Sequence, residues 1–175
     1  MRDHHHALVG GEDRDGLRAR ALPADVAGDK RVFLIARHGS GYAKVGVIAE
    51  VTERVAIGGH GVASFMPLHR GLPGAARTGR DGVLRVPVDE RPDLTPPPSK
   101  TRELEREYRA VVEEILELRG DDGRISAFVR SITEPGSLAD TAGYSPDFNF
   151  EQKLALLEAL DVVERLTLAL RLQRD

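Results

Sequence analysis

Hydrophobic positions in the first half of the chain fall into short runs that turn-forming residues separate. These runs occupy residues 32–36, 45–51, 55–57, 62–68 and 83–88, and the run at 45–51 is rich in β-branched residues. The run at 32–36 is continuous, as expected for a strand that is covered on both faces. Several short strands with turns between them predict a small barrel or sandwich. Pro87 would suit an edge strand, because proline cannot donate a ladder hydrogen bond.

Hydrophobic positions in the second half follow the helical period instead. Between residues 101 and 119 they recur every three or four residues, which predicts an amphipathic helix with an apolar stripe of Leu104, Tyr108, Val111, Ile115 and Leu118. A second helix is predicted to carry an apolar side formed by Ile125, Phe128, Val129 and Ile132.

Polar residues indicate where further helices begin. Ser137 and Asp140 form an S-x-x-D helix start, and Asn149 precedes Gln152 in the spacing of a capping box. Asp161 is a third candidate N-cap. The chain after residue 149 is therefore predicted to form two helices rather than one, and the second half as a whole a four- or five-helix bundle.

A proline-rich segment separates the two patterns. Residues 91–98 end in three consecutive prolines, which cannot continue a helix or a central strand. We expect a semi-rigid connector there. The predicted organisation is a polar, tag-like terminus over residues 1–16, a β-rich subdomain over 17–90, the connector over 91–98 and a helical subdomain over 99–175.

Composition narrows the classes of function. The chain has 175 residues, is 41% hydrophobic and 30% charged, and carries a net charge of −3. Residues 1–98 carry a net +2 and residues 99–175 a net −5, so no strongly basic nucleic-acid surface is expected. The absence of cysteine excludes disulfides and thiolate sites. No apolar run could span a membrane and no signal-peptide pattern opens the chain, so we expect a cytoplasmic protein.

No motif in the sequence amounts to a catalytic or cofactor site. Gly39, Gly41 and Lys44 lack the spacing of a phosphate-binding loop. His4, His5 and His6 form a cluster that fits either a weak metal site or an expression tag. We therefore expect no catalytic residue, no resident metal and no cofactor in this chain.

One apolar group is a candidate for binding polypeptides. It combines apolar bulk with a flexible thioether beside Pro67 and comprises Val62, Phe65, Met66, Leu68 and Leu72. Such surfaces accommodate varied apolar segments. The same pattern more often reflects ordinary barrel core, so both interpretations stay open at this point.

The second half resembles the amino-terminal domain of the ATP-dependent Lon protease, in its actinobacterial form. The resemblance rests on residues 131–146, SITEPGSLADTAGYSP, and residues 150–166, FEQKLALLEALDVVERL, with looser support from VGVIAEV at residues 45–51. It covers residues 30–172. It implies an α+β fold in which a small PUA-like β-barrel precedes a helical bundle.

The resemblance also implies a role. Such a domain would hold unfolded or damaged client polypeptides in protein quality control and help to order a hexamer. ATP, magnesium and the Ser–Lys protease site would belong to other domains. The family's usual opening strand is not recognisable before residue 17, which predicts a barrel without its first strand. Two alternatives remain: a stand-alone PUA-like RNA-binding module and a structural adaptor.

Overall fold

The computed structural model describes residues 5–12, 18–19, 31–38, 41–57, 60–80 and 84–175. Their side chains are described for residues 31–37, 41–53, 63–80 and 84–175. The chain divides into two compact units, Met1–Pro92 and Asp93–Asp175. The division falls within the segment 91–98, where the sequence predicts the proline-rich connector.

The first unit is a curled, mostly antiparallel sheet. Its strands in the described ranges are β1 (His5–Glu12), β2 (Arg18–Ala19), β3 (Arg31–His38), β4 (Gly41–Tyr42), β5 (Gly46–Ile57), β6 (His60–Pro73), β7 (Arg77–Thr78) and β8 (Leu84–Arg91). The strand order is β2-β1-β3-β5-β6-β8-β7, with β4 paired to β3. Because β1 also pairs with β8, the strands β1, β3, β5, β6 and β8 form a closed circuit of pairings.

Strand β1 corrects the expectation that the opening strand is absent. It runs parallel to β3, with Leu8 opposite Phe33, and antiparallel to β8, with His5 opposite Pro87. Its sequence, HHALVGGE, carries too few β-branched residues to predict a strand, and β3 and β8, which flank it, are distant in the chain. The prediction that Pro87 lies on an edge strand is also wrong, because β8 has partners on both sides.

The core of the sheet lies around Phe33. Val32, Phe33 and Ile48 are fully buried, which confirms that β3 is covered on both faces. Gly46 and Gly71 are directly opposite each other on β5 and β6. A Cβ at Gly46 would lie 2.4 Å from the Phe33 ring, so this position needs glycine to admit the aromatic side chain.

The second unit consists of α1 (Pro98–Leu118), α2 (Arg124–Ser131), α3 (Pro135–Asp140), a 3₁₀ turn (Thr141–Tyr144), α4 (Phe150–Glu158) and α5 (Val162–Arg174). These five helices confirm the predicted bundle. The Asn149 side chain and Gln152 form a complete capping box at the start of α4, and Asp161 caps α5, as predicted. Helix α3 begins at Pro135 rather than at Ser137, because proline is well suited to the first helical turn.

The core of the helical unit is one apolar cluster. Its members come from α1, α2, α3, the 3₁₀ turn, α4, α5 and the loop before α4, and the fully buried ones include Tyr108, Leu138, Ala142, Leu166 and Ala169. The Arg165 side chain is also fully buried in this unit. A buried guanidinium requires partners for its charge and its N–H groups, and the chain supplies both.

Candidate functional site

Two of the predicted site residues form an exposed apolar surface on strand β6. Met66 is 54% exposed and Leu68 is 37% exposed, and Pro67 between them is also exposed. We call these three residues the β6 patch. An ordinary core position would be shielded from water, so the exposure of Met66 and Leu68 separates them from the barrel core.

The irregular register of β6 explains this exposure. Ile48 of β5 is opposite His69, but the next residue, Ala49, is opposite Pro67, so Leu68 is an extra residue in a β-bulge. A bulged residue leaves the ladder and bends its strand. Strand β8 pairs only with residues 70–73 of β6, so within the described pairings residues 60–69 have β5 as their one neighbour.

The other predicted residues lie apart from the β6 patch. Phe65 is half-buried, and on the alternating strand it points to the face opposite to that of Met66. Leu72 is half-buried, pairs with Asp89 of β8 and lies six residues from Met66, a distance of about 20 Å along a strand. The Val62 side chain lies outside the described residues. Pro67, which the sequence analysis treated as a neighbour of the group, is also exposed but by the same alternation points to the face opposite to that of Met66.

Acidic side chains flank the β6 patch. Glu50 is directly opposite Met66, and Glu53 is opposite Ser64. At the other end, His69 Nε2 lies 2.8 Å from Glu90 Oε2. The surface is therefore apolar at its centre and polar around it, as in sites that hold apolar polypeptide segments by weak contacts.

Buried polar groups of the helical unit have structural partners. The Arg165 guanidinium donates to Asp93 (2.6 Å) and Asp140 (3.1 Å) and to the carbonyl oxygens of Ala159 and Leu160. Burial opposes the charge, but these two carboxylates outweigh it and raise the pKa of Arg165 above its usual value. The side chain is thus a permanent cation that joins the start of the unit to α3 and α5.

Tyr108 is the second buried polar group. Its hydroxyl lies 2.8 Å from Thr141 Oγ1, which itself donates to the Leu138 carbonyl oxygen, so the Tyr108 hydroxyl is the donor to Thr141. Burial raises the pKa of Tyr108 above 10.0. The phenol therefore stays neutral at physiological pH and acts as a hydrogen-bond donor.

The structure does not describe the side chains of the histidine cluster at residues 4–6. His4 lies outside the described residues, and His5 and His6 belong to β1, whose side chains are likewise outside the described set. Within the described residues, no three His, Asp or Glu side chains are grouped so that they could hold a metal ion. None of the described helices has the length and apolar character needed to cross a bilayer.

Comparison with known proteins gives one consistent result. A family model for the substrate-binding domain of ATP-dependent protease La (LON) matches residues 26–174. The Lon protease of Salinispora arenicola is 35% identical over 146 residues, which is 83% of this chain and 18% of the relative. That of Chloroflexus aurantiacus is 44% identical over 92 residues, 52% of this chain and 11% of the relative. The chain thus spans less than a fifth of either relative.

Solved structures agree with the sequence matches. The N-terminal domain of a Lon protease from the Mycobacterium avium complex superposes with a TM-score of 0.82 at 27% identity, and the match covers 98% of this chain and 99% of that one. A Lon N-terminal domain protein from Xanthomonas campestris has a TM-score of 0.64 at 15% identity over 96% of this chain and 98% of that one, a similarity of fold.

Proposed function

Since the chain belongs to the family of Lon substrate-binding domains, we propose that it recognises unfolded or damaged polypeptides for a Lon-type ATP-dependent protease in quality control. ATP hydrolysis with magnesium and peptide cleavage at a Ser–Lys site would be carried out by other domains of such a protease. In this proposal the present chain is non-catalytic, binds no cofactor and acts in the cytoplasm.

The β6 patch is the observation that carries the proposal. Folded proteins bury most residues like Met66 and Leu68, whereas non-native polypeptides expose them, so an apolar surface selects for the non-native state. The thioether of Met66 is flexible and polarisable, which suits clients of varied shape.

Side-chain contacts, rather than strand addition, would hold the client. Pro67 has no N–H to offer to an added strand, and the bulge at Leu68 interrupts the regular spacing of the ladder. Prolines and bulges are features that protect sheet edges from pairing with other chains. The β6 patch would therefore expose apolar side chains while its backbone resists aggregation.

Binding at one such patch would be weak. Two exposed side chains bury little area, so useful affinity would come from several copies that engage one client at once. We therefore propose that the domain acts within, and helps to order, a hexamer. The net charge of only +2 over residues 1–98 gives the RNA-binding alternative little electrostatic support.

A binding titration tests this proposal. Fluorescently labelled casein, which is natively unfolded, is titrated with the wild-type chain and with the double variant Met66→Ser, Leu68→Ser. Leu118→Ser is the matched control, because Leu118 is 82% exposed but lies on α1 of the other unit. Circular dichroism checks that all three proteins keep their fold.

The proposal predicts that the double variant binds casein about tenfold more weakly, since it loses two apolar contacts, while Leu118→Ser binds like the wild type. Equal affinity of all three proteins for casein would reject the β6 patch as the client-binding surface. No binding of casein, even by a version fused to a hexameric scaffold, would reject client recognition, and salt-sensitive binding of a labelled RNA would favour the alternative.

A further inference from the structure

The helical unit contains a second apolar site, separate from the β6 patch. It is a cavity of about 570 Å³ at the junction of α1, α2 and the 3₁₀ turn, within the range of ligand-binding pockets. We call it the helical pocket. Its apolar lining includes Tyr108, Val112, Ile115, Ile125, Phe128 and Tyr144.

The outer wall of the helical pocket is exposed to solvent. Val129 of α2 is buried, but Ile125 and Phe128 on the same apolar side remain 52% and 57% exposed, and Tyr144 is 85% exposed. Single exposed apolar residues are common on protein surfaces, whereas a group of them around a cavity indicates an interaction site. The unit on its own leaves this wall uncovered.

The polar groups in the lining are mostly satisfied within the unit. The Tyr108 hydroxyl donates to Thr141, and Arg119 is ion-paired with Asp147. Asp121 differs, because both of its hydrogen bonds, from the N–H groups of Gly123 (3.0 Å) and Ser126 (3.3 Å), go to Oδ2. Within the described residues, Oδ1 has no hydrogen-bond or ion-pair partner, so the rim presents an uncompensated negative charge.

The position of the helical pocket at the end of α1 adds to this charge. Gly120 and Asp121, which follow the helix, belong to the lining. The C-terminal end of a helix carries a partial negative charge, α1 has no basic residue in its last turn, and its C-cap residue, Arg119, is ion-paired with Asp147. An apolar cavity with a negative rim is complementary to an apolar group beside a cation.

We propose that the helical pocket binds extended segments of non-native polypeptides in which an aromatic or branched aliphatic residue lies next to Lys or Arg. The apolar side chain would fill the cavity against Phe128 and Tyr144, and the basic side chain would reach Asp121 Oδ1. This inference rests on the proposed function and adds to it a second site and a sequence preference.

Charge also argues against a second copy of this unit as the occupant. Residues 93–175 contain 17 acidic and 11 basic residues, so two helical units carry the same sign and repel each other. Client segments with basic residues are attracted by the same field. The charge of the unit thus selects the client over self-association.

The test uses two acetylated, fluorescently labelled octapeptides with the same Phe-Leu centre in a Gly/Ser frame. One has Lys on both sides of the centre and the other has Glu. Each is titrated with the wild-type chain and with Phe128→Ser, Asp121→Asn and Leu118→Ser. Asparagine at 121 keeps an acceptor for the backbone N–H groups, and Leu118→Ser controls for loss of an exposed leucine on α1. Methyl NMR of Ile115, Ile125 and Val129 locates the binding directly.

The inference predicts that the Lys peptide binds about twofold to fivefold more tightly than the Glu peptide at low salt, the range expected for an exposed ion pair, and that the preference falls as salt is added. Phe128→Ser weakens both peptides about fivefold or more, because it removes an aromatic contact. Asp121→Asn removes the preference for the Lys peptide. In the wild-type chain, the methyl resonances of Ile115, Ile125 and Val129 shift when either peptide is added.

Equal binding of the two peptides would overturn the proposed preference for a basic neighbour. Unchanged binding by Phe128→Ser, together with unshifted methyl resonances, would overturn the proposal that the helical pocket binds client segments. If casein binding then still depends on Met66 and Leu68, the proposed function stands without this second site. If neither peptide nor casein binds, both proposals fail.

Discussion

Arg165 shows how one residue organises the helical unit. Its guanidinium joins Asp93, at the first position of the unit, to Asp140 at the end of α3, and it also satisfies two carbonyl oxygens after α4. Gly136 lies so close to this group that a Cβ there would be 2.2 Å from Asp93 Oδ2. Three segments distant in sequence therefore depend on a single side chain.

Replacement of Arg165 is expected to be strongly destabilising. Arg165→Ala removes the guanidinium from two carboxylates and two carbonyl oxygens in a buried position, and we expect a loss of about 3 kcal/mol in the free energy of unfolding. Arg171→Ala, on the exposed side of the same helix, should cost about 0.5 kcal/mol or less. Urea denaturation of both variants measures the difference, and equal stabilities would show that the ion pairs contribute nothing.

Tyr108 should make stability depend on alkaline pH. Its pKa in the folded protein is raised above 10.0, the value expected in the unfolded chain, so the folded state favours the neutral phenol. The resulting stabilisation is fully present below about pH 10 and is lost as the pH rises through the folded-state pKa. The wild type should therefore lose more stability above about pH 10 than Tyr108→Phe does.

Urea titrations at several pH values between neutrality and pH 11 check this expectation. The stability difference between wild type and Tyr108→Phe should be constant below about pH 9.5 and shrink above it. Tyr144→Phe is the control, because Tyr144 is 85% exposed. A difference that does not change with pH would contradict the buried, neutral state of Tyr108.

At the scale of elements, the helix starts were predictable and several strand features were not. Asn149 and Asp161 cap their helices through bonds to residues two or three positions away, so the local sequence contains the whole signal. Strand β1 pairs along most of its length with β3 and β8, at least 25 positions away, and only at its end with the two-residue strand β2, so its own residues carry little signal. Pro87 was assigned to an edge strand because proline lacks the N–H that a central strand uses, and that argument considers one residue without the pairing of β8 with β1.

The capping box of α4 gives a prediction at this scale. Asn149 Oδ1 accepts from the Gln152 N–H, and Gln152 Oε1 accepts from the Asn149 N–H, both at 2.9 Å. Asn149→Ala removes the first bond and the preferred N-cap, and should lower the free energy of unfolding by about 1 kcal/mol. Asn149→Ser retains a capping oxygen and should cost only a small part of that. Urea denaturation compares the two, and equal losses would contradict a role for the cap.

At the scale of the whole molecule, the order of the two units followed from the sequence. The change from short β-branched runs to helical periodicity, with a proline-rich segment between them, predicts a sheet followed by helices, and the structure confirms that order. The exposure of individual side chains was harder to predict from the sequence. Periodicity places Ile125, Phe128 and Val129 on one side of α2 but does not say that only Val129 is covered, because coverage depends on tertiary neighbours.

The same limit applied to the apolar group on β6. The sequence gathers Phe65, Met66, Leu68 and Leu72 within eight residues, yet alternation, a bulge and a change of pairing partner send them to different environments. The bulge at Leu68 arises from the register between β5 and β6, which no local pattern specifies. Exposure of Met66 and Leu68, and with it the proposal of client binding, emerges only at the level of the assembled sheet.

The most direct test of client recognition is photocrosslinking from within the β6 patch. A photoreactive amino acid replaces Met66, which is 54% exposed, in one protein and the control Tyr42 on β4, which is 52% exposed, in another. Each protein is irradiated with unfolded casein or with a folded protein of similar size. We predict crosslinks from position 66 to casein, few to the folded protein, and few from position 42 to either. Crosslinks that do not depend on position, or that form equally with the folded protein, would contradict the central claim that this surface selects non-native polypeptides.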